Sequence, residues 1–97
     1  MSRPVARKGD PDLVHCSQPV RAECSPNVFV NGRGWSRMGD HNAPHLKPSG
    51  DECVTHSAPI ATGSSTVFVN GRGGGRVFDS IAGCTAVASG SPNVFCG

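Results

Sequence analysis

One phrase occurs twice in this chain, and it limits what the chain can fold into. Ser25-Pro26-Asn27-Val28-Phe29-Val30-Asn31-Gly32-Arg33 is echoed by Ser64-Ser65-Thr66-Val67-Phe68-Val69-Asn70-Gly71-Arg72, and the register runs on without gaps to Asp40 and Asp79. A match of this length means a repeat architecture, in which no unit buries its apolar face alone. A third copy is present in two pieces. Ser91-Pro92-Asn93-Val94-Phe95-Cys96-Gly97 supplies its first half, and Arg3-Pro4-Val5-Ala6-Arg7-Lys8-Gly9-Asp10 its second. The expectation is one domain over residues 1–97, built from units at about 25–40, 64–79 and 91–97 joined in space to 3–10. Such a ring of three leaves no open sheet edge.

The units read as β-hairpins. Val-Phe-Val followed by Asn-Gly is a hairpin signal, because Asn and Gly accept the positive φ angles of a type I′ turn. Thirteen Gly and eight Pro argue against long helices. Strand alternation puts Val28 and Val30 on one side and Phe29 on the other. Phe29, Phe68 and Phe95 are expected to form a shared core around the pseudo-three-fold axis. Arg7/Asp10, Arg37/Asp40 and Arg76/Asp79 are expected to brace turns through charge-assisted hydrogen bonds. Trp35, the only Trp, packs into the side wall or anchors an interface.

Composition excludes several functions. The net charge is only +2, and six of the nine basic residues sit at repeat positions, so nothing clusters for phosphate contacts and no nucleic-acid partner is expected. No apolar run is long enough to span a bilayer, and no apolar segment follows the basic N-terminus as in a secretory signal. A reducing cytosol is the expected birthplace. Five Cys cannot all pair within one chain. Metal binding is therefore expected before disulfides, with a Cys16–Cys24 bridge left open for conditions outside the cell.

Pro4-Val5-Ala6-Arg7 followed by Lys8-Gly9-Asp10 resembles the Pro-Ala-Ala-Arg motif and its Gly-Asp continuation, from which the PAAR-repeat family takes its name. The Ser-Pro-Asn-Val-Phe and Val-Asn-Gly-Arg segments and the Asn93-Val94-Phe95-Cys96-Gly97 ending are also similar to that family. Gly34-Trp35-Ser36-Arg37 and Gly73-Gly74-Gly75-Arg76 keep only the Arg of the motif. The resemblance implies a mainly β, pseudo-three-fold hairpin cone without catalytic activity, with a metal ion near its point. It implies one chain capping a trimeric β-helical spike at the distal tip of a contractile phage tail, with transient contact with the target cell envelope. The alternative owner is a type VI secretion spike, for which the chain would be made in the bacterial cytoplasm and then delivered. In either case the protein itself would be a monomer.

The repeat also points to metal ligands. The residue five positions past each final Asp is His15, His45 or Cys84, so three metal-type side chains should converge on one axis. His56, in the longest segment between units, can close the set. Three His and one Cys suit a closed tetrahedral Zn²⁺ site, with iron as the alternative. Cys53 competes, because Cys53-Val54-Thr55-His56 has a C-x₂-H spacing and could replace His45 or Cys84. Cys24 and Cys96 sit beside or in core strands, where a small buried thiol is the default. Two rival functions are a zinc hydrolase and a free-standing zinc-binding adaptor. The hydrolase needs an open coordination position and a nearby Glu base, whereas Glu23 and Glu52 belong to no H-x-E or H-E-x-x-H motif.

Overall fold

The computed structural model describes residues 2–97, and among them there is no helix. The strands are β1 (Arg3–Pro4), β2 (Phe29–Val30), β3 (Arg33–Gly34), β4 (His45–Ser49), β5 (Glu52–His56), β6 (Phe68–Val69), β7 (Arg72–Gly73) and β8 (Phe95–Cys96). They pair antiparallel as β2–β3, β6–β7, β4–β5 and β1–β8. The first two pairs are the repeat hairpins, turned by Asn31-Gly32 and Asn70-Gly71 at φ values of 55° and 78°, and 54° and 79°. Both turn residues thus lie in the positive-φ region of a type I′ turn. The β1–β8 pair is the same hairpin with its turn cut: Arg3 faces Cys96 and Pro4 faces Phe95, as Arg33 faces Val30 and Gly34 faces Phe29.

Three-fold order extends through the backbone between units. Ala6 N–H donates to the Gly75 carbonyl, Gly75 N–H to Ser36 and Ser36 N–H to Ala6, each at 2.9 Å, closing a ring of three hydrogen bonds. Bridges join Val5 to Arg76, Trp35 to Arg7 and Gly74 to Arg37 in the same cyclic sense. A second ring follows, with Asp12 beside Val87, Asn42 beside Arg21 and Ile81 beside Ile60. Each sector therefore satisfies its backbone polar groups on the next one, as burial demands.

The charged pairs obey the same cycle. Arg7, Arg37 and Arg76 each bind the Asp three residues on, and the backbone N–H of each Arg also donates to that Asp. Arg33, Arg72 and Arg3 reach across to Asp10, Asp40 and Asp79 of neighbouring sectors, at 3.1, 3.0 and 3.3 Å. Each carboxylate is thus an acceptor-only hub between a local and a foreign guanidinium.

Two apolar clusters stack along the axis. The base cluster holds Val5, Val30, Trp35, Val69 and Cys96, with half-buried Val28, Val67 and Val94 against it. The upper cluster holds Ala6, Ala58, Ile60, Val77, Ile81 and Val87, with Cys84 packed on it. Trp35 is core: it is 9% exposed and its indole N–H donates to the Gly75 carbonyl at 3.0 Å. The equivalent residue one sector on must be Gly74, because a Cβ there would stand 2.6 Å from the Trp35 ring. The buried thiol expected at Cys96 is found, whereas Cys24 is only half-buried.

The expected phenylalanine core is not formed. Phe29, Phe68 and Phe95 are 61%, 60% and 53% exposed, while Val30, Val69 and Cys96 are buried beside them. Alternation is obeyed, but the inward side belongs to the valines. Around so narrow an axis two valines and a cysteine fill the space, and phenyl rings are left outside.

Phe78 adopts φ 71°, where its equivalents Gly9 and Gly39 stand at 88° and 91°. An L-residue in that region costs about 1–2 kcal/mol, and Phe78 is 65% exposed, so packing returns little. Phe78→Gly is expected to stabilise the fold by roughly 0.5–1 kcal/mol after the extra unfolded-state freedom of Gly is subtracted. Chemical denaturation of the two forms measures the difference.

Candidate metal centre

The four side chains nominated by the repeat converge. His15, His45, His56 and Cys84 each offer one ligand atom, and these atoms lie within 4.8 Å of one another. Two loops and the start of β4 deliver three of them from one layer. His15, His45 and Cys84 lie three residues beyond Asp12, Asn42 and Ile81, which are equivalent members of the second ring. Local symmetry thus aims three side chains at the axis above the upper cluster.

The fourth ligand comes from a hairpin that sequence reading missed. β4 and β5 turn at Gly50, which has φ 62°, and their register sets His45 directly opposite His56. Directly paired residues share one face, so both imidazoles point the same way, with ring centroids 4.4 Å apart. Pro48 sits in a strand of this two-stranded sheet, a place a proline tolerates only at an edge. The available signal was Ser49-Gly50-Asp51 between two short stretches, a turn-forming cluster.

The contacts are those of donors gathered on a shared point. His15 Nε2 lies 2.7 Å from Cys84 Sγ, His45 Nε2 lies 3.3 Å from the same sulfur, and His56 Nε2 lies 2.9 Å from His45 Nε2. His45 Nδ1 is 2.8 Å from the Ala43 carbonyl, which can only accept, so Nδ1 carries the hydrogen and Nε2 a free lone pair. Burial, then the neighbouring His45 and Lys47, holds the His15 and His56 imidazoles below their ordinary pKa and favours neutral rings. A thiol or imidazole hydrogen can bridge one such contact, whereas a cation takes up the lone pairs of all four donors at once. In a tetrahedral zinc site with Zn–N and Zn–S bonds of usual length, donors stand about 3.3–3.6 Å apart. The donor atoms stand from 2.7 Å apart to within 4.8 Å of one another, a range that brackets this spacing, so the cluster can hold a metal ion.

A buried polar network supports the sulfur. Asn42 Nδ2 lies 3.8 Å from Cys84 Sγ and donates to Asp12 Oδ2 at 3.1 Å, while Asn42 Oδ1 accepts from Ala58 N–H at 2.9 Å. Asp12 in turn binds Arg21 at 2.9 Å, with both side chains fully out of solvent. Neither Asn42 nor this ion pair was singled out from sequence. The signal was available: Asp12, Asn42 and Ile81 follow the repeat Asp by two, and Arg21, Ile60 and Val87 precede the repeat Ser by four.

Cys53 does not replace any ligand. It is bonded to Cys16, with the two residues 37 apart in sequence. The Cys16–Cys24 pairing left open from sequence is not formed, since Cys24 is a free thiol. The priority given to metal over disulfides is thereby corrected, because this chain contains both a cystine and a candidate metal cluster. The unforeseen β4–β5 hairpin is the reason: it carries Cys53 out beside the loop that bears Cys16.

No family model matches the chain, and no curated protein matches it closely enough to count as a relative.

Proposed function

We propose that this chain is a structural spike tip. One copy caps the end of a trimeric β-helical spike in a contractile injection apparatus and bears a structural Zn²⁺ ion at the opposite end. The observation that carries this reading is a single chain built with three-fold order along one axis. An asymmetric monomer has no internal need for three equivalent faces, whereas a cap on a trimer needs one face for each strand of its partner. Along that axis the base cluster comes first, then the upper cluster, then the candidate ligands.

The base supplies groups suited to a three-fold partner. Val28, Val67 and Val94 are half-buried against the base cluster, and Phe29, Phe68 and Phe95 stand exposed at equivalent strand positions. Exposed aromatics repeated in this way suit the core of an interface, where aromatic residues are enriched. The cut end of a trimeric β-helix presents apolar core and unpaired strand edges, both of which need cover. At the other end the ion would bind the folded form through all three sectors and so stabilise it by linkage. The proposed role is mechanical, in a phage tail or a secretion spike alike, with brief contact with the target envelope.

The trimeric spike of the same particle is expected to co-purify with this chain at three spike chains to one. Phe29→Ser, Phe68→Ser and Phe95→Ser together should leave melting and metal content nearly unchanged, because these side chains lie outside the core. They should weaken spike binding by at least about 100-fold, the scale of interface hot spots. Undiminished binding by the triple variant, or an equimolar complex, contradicts the proposal.

A further inference from the structure

Three of the four candidate ligands ride on two segments whose ends are joined where Ala43 N–H donates to the Val20 carbonyl at 2.8 Å. His15 belongs to the loop over residues 13–19, and His45 and His56 belong to β4–β5, a sheet whose strands pair only with each other. Between these segments runs a hydrogen bond from Leu46 N–H to Ser17 Oγ, 2.9 Å long and open to solvent. The covalent link is the bond between Cys16, adjacent to His15, and Cys53, three residues before His56. Both cysteines are exposed. Cys84, the sulfur among the candidate ligands, stands apart from this bond and packs on the upper cluster.

We propose that the Cys16–Cys53 disulfide is a redox-operated clasp on the metal centre. Closed, it fixes His15 against the His45/His56 pair and retains the ion; open, it frees the hairpin and the ion is held more weakly. The inference rests on the reading of the cluster as a metal site. Exposure makes the bond open to exchange, since thiol–disulfide rates depend on access as well as on thiolate character.

Closure needs an oxidant, and a low-molecular-weight disulfide of the form RSSR serves. One cysteine thiolate attacks RSSR to give a mixed disulfide and one RSH. The second cysteine then displaces the other RSH and forms the Cys16–Cys53 bond. Two electrons pass from the cysteines to RSSR, and their two protons leave on the released thiols. A tip made and metallated in a reducing compartment would thus be locked on reaching an oxidising one.

The test uses the full chain loaded with Zn²⁺ and a chromogenic chelator as competitor. Affinity is measured in the oxidised form and again after treatment with a trialkylphosphine. That reagent and one water convert the disulfide to two thiols and a phosphine oxide, and it avoids the zinc-binding dithiols. Reduction is expected to weaken zinc binding by about 10-fold or more, the scale on which groups behind the ligands act. Re-oxidation with a small disulfide should restore it. Cys16→Ser with Cys53→Ser should match the reduced protein and ignore the phosphine. Should that variant fail to fold, the reversible comparison on the unaltered chain decides alone. Equal or tighter binding after reduction overturns the clasp but leaves the metal centre standing. An oxidised chain that binds no zinc overturns both.

Discussion

Replacing His45 by alanine together with Cys84 by serine should release the ion and lower the thermal midpoint by roughly 15–30 °C. The size follows from linkage: an ion present at a thousand times its dissociation constant adds about 4 kcal/mol to folding. For a domain of this length each kcal/mol moves the midpoint by about 4–8 °C. His45 is the most buried of the four candidate ligands, and its Nε2 faces both His56 and Cys84. Removing His45 and Cys84 leaves His15 and His56, too few donors for a closed site. Chelation of the unaltered chain should give a similar drop in a calorimetric scan. Loss of metal without loss of stability would contradict a structural role for the ion.

Acid should act in the same direction. Burial chiefly, then His45 and Lys47, lowers the folded-state pKa of His15 and His56 below the ordinary 6.5. For a depressed imidazole the folded state prefers the neutral form. The stability it contributes is therefore present above 6.5 and is lost as pH falls through the folded value. Protons also compete directly with the metal for the same nitrogens. Metal content and melting temperature are thus expected to fall together below about pH 6.5.

The second large effect is expected at the Arg21–Asp12 pair. Both side chains are completely buried, and Arg21 also donates to the Asp40 carbonyl at 3.2 Å and to Ser36 Oγ at 3.4 Å. Burial pushes the Asp12 carboxyl pKa up even with Arg21 and Asn42 working against it, so the fold carries this charge at a cost. Arg21→Ala strands that charge and should cost about 3–5 kcal/mol. Asp12→Leu with Arg21→Met should recover most of the loss, because apolar side chains of like volume often replace a buried pair without penalty. The protein contains its own precedent: Ile81 and Val87 hold the places equivalent to Asp12 and Arg21, and both are buried in the upper cluster. Urea denaturation of the single and double variants compares them directly. The single change should also weaken metal retention, since Asp12 holds Asn42 beneath Cys84.

Repetition made the fold legible, and symmetry made most of the site legible. Val30, Val69 and Cys96 occupy one structural position, and so do His15, His45 and Cys84 one layer further on; both follow from counting along equivalent units. The misses occurred where equivalence does not reach. The β4–β5 hairpin is an insertion in a single sector, so nothing elsewhere in the chain revealed it, and the Cys16–Cys53 bond depends on where it folds. The phenylalanines failed for another reason. Sequence assigns Phe29 and Val30 to opposite faces but not which face turns inward; the bore of the ring decides that, and it admits valine. Trp35 fits inside only because Gly74 vacates the equivalent place next door, a pairing visible once sectors are laid beside one another in space.

The most direct test of the account is a structure of the assembled injection particle. One copy of this chain should sit on the distal end of a trimeric β-helix, with Phe29, Phe68 and Phe95 each against a different spike chain. A single metal density should lie among His15, His45, His56 and Cys84 at the far point. A chain bound along the spike shaft, or arranged as three symmetric copies of itself, would contradict it.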